Sequence, residues 1–116
     1  MTRLTTHVLD VSAGIPAAGM RIELHETNSA SRVLADVRTD SDGRCSAPLL
    51  QGADFIAGRY SLVFHVSEYF AARGIVLPDP PFLDRVVVAF GIADPASHYH
   101  VPLLVTPWSY STYRGS

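Results

Sequence analysis

The chain has 116 residues, 47% of them hydrophobic and 17% charged, which fits one globular domain over 1–116 with a buried core and excludes a disordered chain. A formal net charge of -2 gives no electrostatic basis for binding nucleic acid or an anionic membrane surface, even though every basic residue is Arg. Cys45 is the lone cysteine, so no intrachain disulfide can form, and with no apolar run long enough for a signal peptide or a membrane span the expected location is the cytoplasm.

Leu4 to Ser12 predicts a first strand, with Thr5, His7 and Leu9 on one face and Thr6, Val8 and Asp10 on the other. Residues 14–19 carry the Gly and Pro of a loop. Met20 to Thr27 alternates, Ile22 and Leu24 inward against Arg21, Glu23 and His25 outward. A turn over 28–31 leads to a strand over Arg32 to Thr39, with Val33, Ala35 and Val37 on its buried side. Asp40-Ser41-Asp42-Gly43 is a tight-turn signal, since Asp-Gly supplies the positive φ such turns need. Arg44 to Leu49 is the expected short return strand.

After a polar loop, Arg59 to Val66 gives the clearest alternation of the chain. Ser67 to Gly74 breaks that period and predicts a short helix, Ser67 as its N-cap and Gly74 just past its end. Asp84 to Ile92 is a strand, and His98 to Val105 another, with His98, His100, Pro102 and Leu104 sharing a face. Pro102 makes a local irregularity there. The tail Ser109 to Tyr113 is aromatic and β-prone, ending in Arg114-Gly115-Ser116. Seven or eight short strands with turn signals between them predict a two-layer β-sandwich carrying one short α-helix.

The chemistry-bearing residues lie at the two ends of the chain. His25 and His65 fall on polar strand faces and read as surface residues. His7 and the His98/His100 pair meet only if the first strand neighbours the penultimate one. Three imidazoles could hold a zinc ion, or they could serve metal-free general acid–base catalysis. The second needs a fixed cation for a developing oxyanion, and Arg44 and Arg114 are the candidates. Tyr113, Arg114 and Gly115 together offer a phenol donor, a planar guanidinium and a close backbone approach, which suits a flat heterocycle rich in carbonyls and N–H groups.

Leu4-Thr5-Thr6-His7-Val8-Leu9-Asp10, Thr39-Asp40-Ser41-Asp42-Gly43-Arg44, His98-Tyr99-His100-Val101-Pro102-Leu103-Leu104 and the terminal Tyr113-Arg114-Gly115-Ser116 together resemble the 5-hydroxyisourate hydrolase family. These are the transthyretin-related enzymes of urate degradation, in purine catabolism. The departures, at Thr106 and Trp108, touch no motif residue. The resemblance implies an all-β, transthyretin-like (prealbumin-like) sandwich of two four-stranded sheets. It also implies a homotetramer with its active sites in a channel between dimers, and neither metal nor organic cofactor. The implied reaction is hydrolysis of the N1–C6 amide of 5-hydroxyisourate to 2-oxo-4-hydroxy-4-carboxy-5-ureidoimidazoline. His7, Arg44 and His100 would be catalytic, and His7, Arg44, Tyr113, Arg114 and Ser116 would hold the substrate. The alternatives are a non-catalytic transthyretin-like carrier of a small aromatic ligand in the central channel, and a prealbumin-like adhesion module.

Overall fold

The computed structural model describes residues 2–28 and 31–115. In chain order the elements are β1 (Arg3–Thr5), β2 (Val8–Asp10), β3 (Ile15–Pro16), β4 (Arg21–Glu26), β5 (Arg32–Arg38), β6 (Leu50–Gln51) and a 3-10 turn at Gly52–Asp54. They continue with β7 (Gly58–Phe64), the helix α1 (Val66–Ala72), β8 (Val86–Ile92), β9 (Tyr99–His100), β10 (Leu103–Val105) and β11 (Tyr110–Thr112). One layer is antiparallel, in the order β5-β4-β7-β8. The other is built from two short ladders laid end to end, β6-β1-β9 and β11-β10-β2-β3.

The second layer positions the site. β1 and β2 are two halves of one strand, and β9 and β10 two halves of its parallel neighbour, in the register Thr5↔His100 and Leu103↔Val8. Backbone bonds from Val101 N to Thr5 O and from Leu103 N to His7 O, both 2.9 Å, carry the pairing across the break. Those donors flank Pro102, whose missing N–H belongs to the side facing the tail. There the Thr112 hydroxyl donates to the Pro102 carbonyl at 2.7 Å, so the proline costs the parallel ladder nothing.

Burial follows the alternation read from the first strand. Leu4, Thr6, Val8 and Asp10 are buried, while Thr5, His7 and Leu9 are only half-buried on the outer face. Leu4, Val8, Leu103 and Val105 meet Ile22, Leu24, Leu62 and Phe64 of the other layer, each fully or almost fully buried. At about 1.5–3 kcal/mol per buried large side chain, this shared core is what holds the two layers together.

Four local expectations are corrected. Arg44 to Leu49 forms no strand; Arg44 makes a single bridge to His7, and pairing resumes only at β6. Residues 14–19 include the short β3, paired with β2. Val33 and Val37 are exposed, because β5 is an edge strand and the register against β4 shifts beside Leu34, reversing the parity of Val33. The helix begins two residues early, with His65 and not Ser67 at the N-cap position. Ser67 is used differently: its amide and hydroxyl donate to the Asp84 carbonyl and carboxylate at 3.0 and 2.8 Å. The C-terminal end is as expected. Gly74 has φ +83°, Gly74 N bonds Ala71 O and Ile75 N bonds Phe70 O, the paired bonds of a Schellman motif.

The helix is fastened to the site-bearing layer by a buried carboxylate. Asp10, 1% exposed, accepts the Tyr69 hydroxyl at 3.0 Å, the Ser12 hydroxyl at 2.5 Å and the Ala13 amide at 3.2 Å. Arg73 stands 3.8 Å away. Tyr69→Phe is expected to cost about 1.5–3 kcal/mol, the range for a hydrogen bond to a carboxylate. Urea denaturation should show a lower midpoint with an unchanged slope.

Candidate functional site

The Asp40–Gly43 turn fixes Arg44. Asp40 N bonds Arg44 O at 2.7 Å and Gly43 N bonds Asp40 O at 3.0 Å. The Asp40 carboxylate accepts the amides of Asp42 and Arg44 at 2.9 and 3.1 Å. Gly43 has φ +77°, and a Cβ there would collide with the Val8 carbonyl, so only glycine fits. Val8 N in turn bonds Gly43 O at 2.8 Å. The turn is thereby stitched onto the first strand, and Arg44 lies across the ladder from His7. The His7 ring donates from Nε2 to the Asp42 carbonyl at 2.8 Å, which leaves Nδ1 as its free nitrogen.

On the opposite side, His100 is set by its parallel register with Thr5. Thr5 Oγ1 is 2.8 Å from His100 Nδ1 and 3.5 Å from His98 Nε2. The tail then closes over the ring. Gly115 bridges His100, with Gly115 N bonding His100 O at 2.7 Å, and a Cβ at Gly115 would stand 2.7 Å from His100 Cδ2. Burial pushes the His100 imidazole below its ordinary value of 6.5, and electrostatic interaction with Arg44, His7 and His98 pushes the same way. A hydrogen bond to the Thr5 backbone opposes them. His100 is therefore held neutral at neutral pH.

Arg44, Thr5, His98 and His100 open onto a cavity of about 360 Å³, which Cys45 also lines; His7, across the ladder from Arg44, is not among the lining residues. That volume falls within the range of about 300–1,000 Å³ typical of small-molecule sites. The cavity pairs a guanidinium with two imidazoles, one of which is neutral and half-buried. Such a set can take a proton from water and stabilise a nearby oxyanion. Among the described residues, no three His, Cys, Asp or Glu side chains come together as a metal-ion site.

The structure separates other residues named from the sequence. Arg114 turns away from the cavity: its guanidinium carbon lies 4.1 Å from the Tyr99 ring centroid, and its Nη2 donates to the His98 carbonyl at 3.3 Å. Tyr113, 61% exposed, lines with Arg114 a separate hollow between the tail and β8. Ser116 lies outside the described residues. His25 and His65 are engaged around Glu23, with His65 Nε2 2.8 Å and His25 Nε2 3.7 Å from its carboxylate, on the layer that does not bear the cavity. Cys45, which also lines the cavity, carries no signal in the sequence, whereas Thr5 is readable there only as a residue of the channel face. The parity of Thr5 with His7 was readable, but its partner across the ladder was not.

The HIUase/Transthyretin family model matches residues 4–115. The 5-hydroxyisourate hydrolase of Ralstonia nicotianae is 56% identical over 117 aligned residues, covering 100% of both chains. That of Pseudomonas aeruginosa is 55% identical, covering 100% of this chain and 93% of the relative. Among solved structures, Klebsiella pneumoniae 5-hydroxyisourate hydrolase superposes with a TM-score of 0.82 at 35% identity, covering 100% of both chains. An (S)-allantoin synthase superposes with a TM-score of 0.95 at 46% identity; the match covers 99% of this chain and 44% of that one. Sea bream transthyretin in complex with thyroxine has a TM-score of 0.86 at 27% identity, covering 97% of this chain and 94% of that one. The transthyretin-like sandwich, the His7–Arg44 bridge and the match from residue 4 to residue 115 lead to one conclusion: the chain belongs to the HIUase/Transthyretin family.

Proposed function

We propose that the chain is a 5-hydroxyisourate hydrolase acting at the cavity between Arg44 and His100. The observation that carries the reading is the neutral, half-buried His100 facing the same cavity as a guanidinium fixed by a rigid turn. The full-length similarity to hydrolases at 55–56% identity supports it. Transthyretin, the carrier alternative, is similar at only 27%.

In this mechanism His100 Nε2 takes a proton from water as the oxygen attacks C6 of the substrate. Arg44 stabilises the oxyanion of the tetrahedral intermediate. The C6–N1 bond then breaks, N1 receives the proton held by the imidazolium, and C6 becomes a carboxyl group. His7, its Nε2 tied to Asp42 and its backbone bridged to Arg44, acts beside the cavity by holding the turn that carries Arg44. Tyr113 and Arg114 line the separate hollow beside β8 and take no direct part in this mechanism; the tail acts through Gly115, which packs against the His100 ring.

A homotetramer, with this face of the sheet lining an intersubunit channel, is part of the same proposal. Leu9 and Leu104 are only half-buried on the face that carries Thr5 and His100, and β8 and β11 are open sheet edges. Cytoplasmic residence is proposed with it; no helix among the described residues is long and apolar enough to cross a membrane.

Two experiments test the reading. Hydroxyisourate generated by urate oxidase should lose its ultraviolet absorbance faster with the protein than by spontaneous decay, and a chelator should leave that rate unchanged. A rate equal to buffer would favour a carrier, and loss with chelator would indicate a metal centre. Gly115→Ala should push the His100 ring out of place and lower kcat about 10–100-fold, because small misplacements of a reacting group are costly. A thermal melt should move little, which separates this effect from unfolding.

A further inference from the structure

Thr5 has no role in the mechanism given above, yet its hydroxyl is the partner of two ring nitrogens in the cavity. Oγ1 stands 2.8 Å from His100 Nδ1 and 3.5 Å from His98 Nε2. A hydroxyl carries one proton to donate and two lone pairs. If His100 Nδ1–H donates to Oγ1, the hydroxyl proton is free to point at His98 Nε2, and His100 Nε2 is left with a lone pair facing the cavity. The reverse order protonates His100 Nε2 and removes its ability to accept a proton from water. Which order prevails decides whether His100 is a base.

The placement of Thr5 is over-determined. Its strand is locked to that of His100 by the Thr5↔His100 register and by the Val101 N to Thr5 O bond of 2.9 Å. The His100 ring has no room to swing, because Gly115 packs against its Cδ2 edge. His98 is held in turn through its carbonyl, which accepts from Arg114 Nη2 at 3.3 Å. This gives Arg114 a task at a distance from the cavity.

We propose that Thr5 is a positioning residue: its hydroxyl, directed toward His98, accepts from His100 Nδ1–H and holds His100 in the tautomer whose Nε2 faces the substrate. This rests on the hydrolase reading. His98 thereby acquires the role of orienting the hydroxyl.

The direct test is nitrogen NMR of the unaltered protein with labelled histidine, at a pH above the His100 transition. One dominant His100 tautomer, protonated at Nδ1, is expected. A dominant Nε2–H form, or an average of the two, would overturn the proposal. This readout does not depend on turnover, so it separates failure of the Thr5 role from failure of the hydrolase reading, which an inactive unaltered protein would reveal. The kinetic test compares Thr5→Val with Thr5→Ser. The valine variant should lose at least about tenfold in kcat with KM within about twofold, and its acid limb in kcat/KM should move to lower pH. The sign follows from chemistry: an acceptor for Nδ1–H favours the imidazolium, so removing it lowers the pKa of His100. Thr5→Ser should restore both rate and limb to within about threefold and a few tenths of a pH unit. A valine variant with unchanged kcat, or a loss that serine fails to rescue in a folded protein, would overturn the assignment. If the valine variant does not fold, the NMR result decides.

Discussion

Replacing Arg44 with Ala is expected to lower kcat by about 10²–10³-fold while leaving the fold intact, the range seen when one donor to a developing oxyanion is removed. The stability side follows from where the anchoring bonds are made. The turn that carries Arg44 is held by the Asp40 carboxylate, by backbone amides and carbonyls, and by the steric fit of Gly43 against Val8. None of these uses the guanidinium. Arg44→Lys should recover only part of the loss, since an ammonium keeps the charge but not the planar fork. Steady-state kinetics of both variants, beside a thermal melt, checks this. A melt shifted by as much as that of Tyr69→Phe would assign Arg44 a structural role instead.

The second large effect is at His100. His100→Gln should lower kcat/KM by about 10²–10⁴-fold, the usual contribution of a general base. The pH dependence of the unaltered protein carries the same information. His100 works when neutral, and burial together with electrostatic interaction with Arg44, His7 and His98 holds its pKa below the ordinary value of 6.5. The acid limb of kcat/KM should therefore lie below pH 6.5, and the enzyme should keep its activity as pH falls through that value. In the Arg44→Ala variant the limb should move upward, because one of the charges that oppose protonation is gone. An acid limb above 6.5, or one unmoved by loss of Arg44, would count against His100 as the base.

Much of the fold was legible because strand alternation survives interruption. The parity of Thr5, His7 and Leu9 against Thr6, Val8 and Asp10 holds across the gap between β1 and β2, since the chain stays extended through it. Gly74 and the Asp40–Gly43 turn were legible because glycine at positive φ leaves a local signature. The return strand after Arg44 was not, because a run of suitable residues says nothing about whether a partner lies alongside. Val33 and Val37 failed for a related reason: valine marks a pleated surface, and only the sheet order shows that this one is an edge.

The site divides the same way. His7, Arg44 and His100 could be named from the motifs that carry the family resemblance, but their convergence depends on a parallel pairing between the two ends of the chain. Thr5 acquires meaning only through the register that sets it opposite His100. Arg114 was read as a ligand-facing fork, whereas its guanidinium lies over Tyr99, a contact that needs the tail to fold back beside β9. Residue type announced the chemistry available; the ladder decided which groups share a cavity.

Hydrolysis at the cavity between Arg44 and His100 is tested most directly by a crystal structure of the protein soaked with urate, a stable and flat relative of the substrate. The predicted result is a urate ring in that cavity, with Arg44 on a ring carbonyl oxygen and His100 Nε2 directed at the carbon that water would attack. Urate bound instead in the hollow beside Tyr113 and β8, with Arg44 and His100 both free of it, would contradict the assignment.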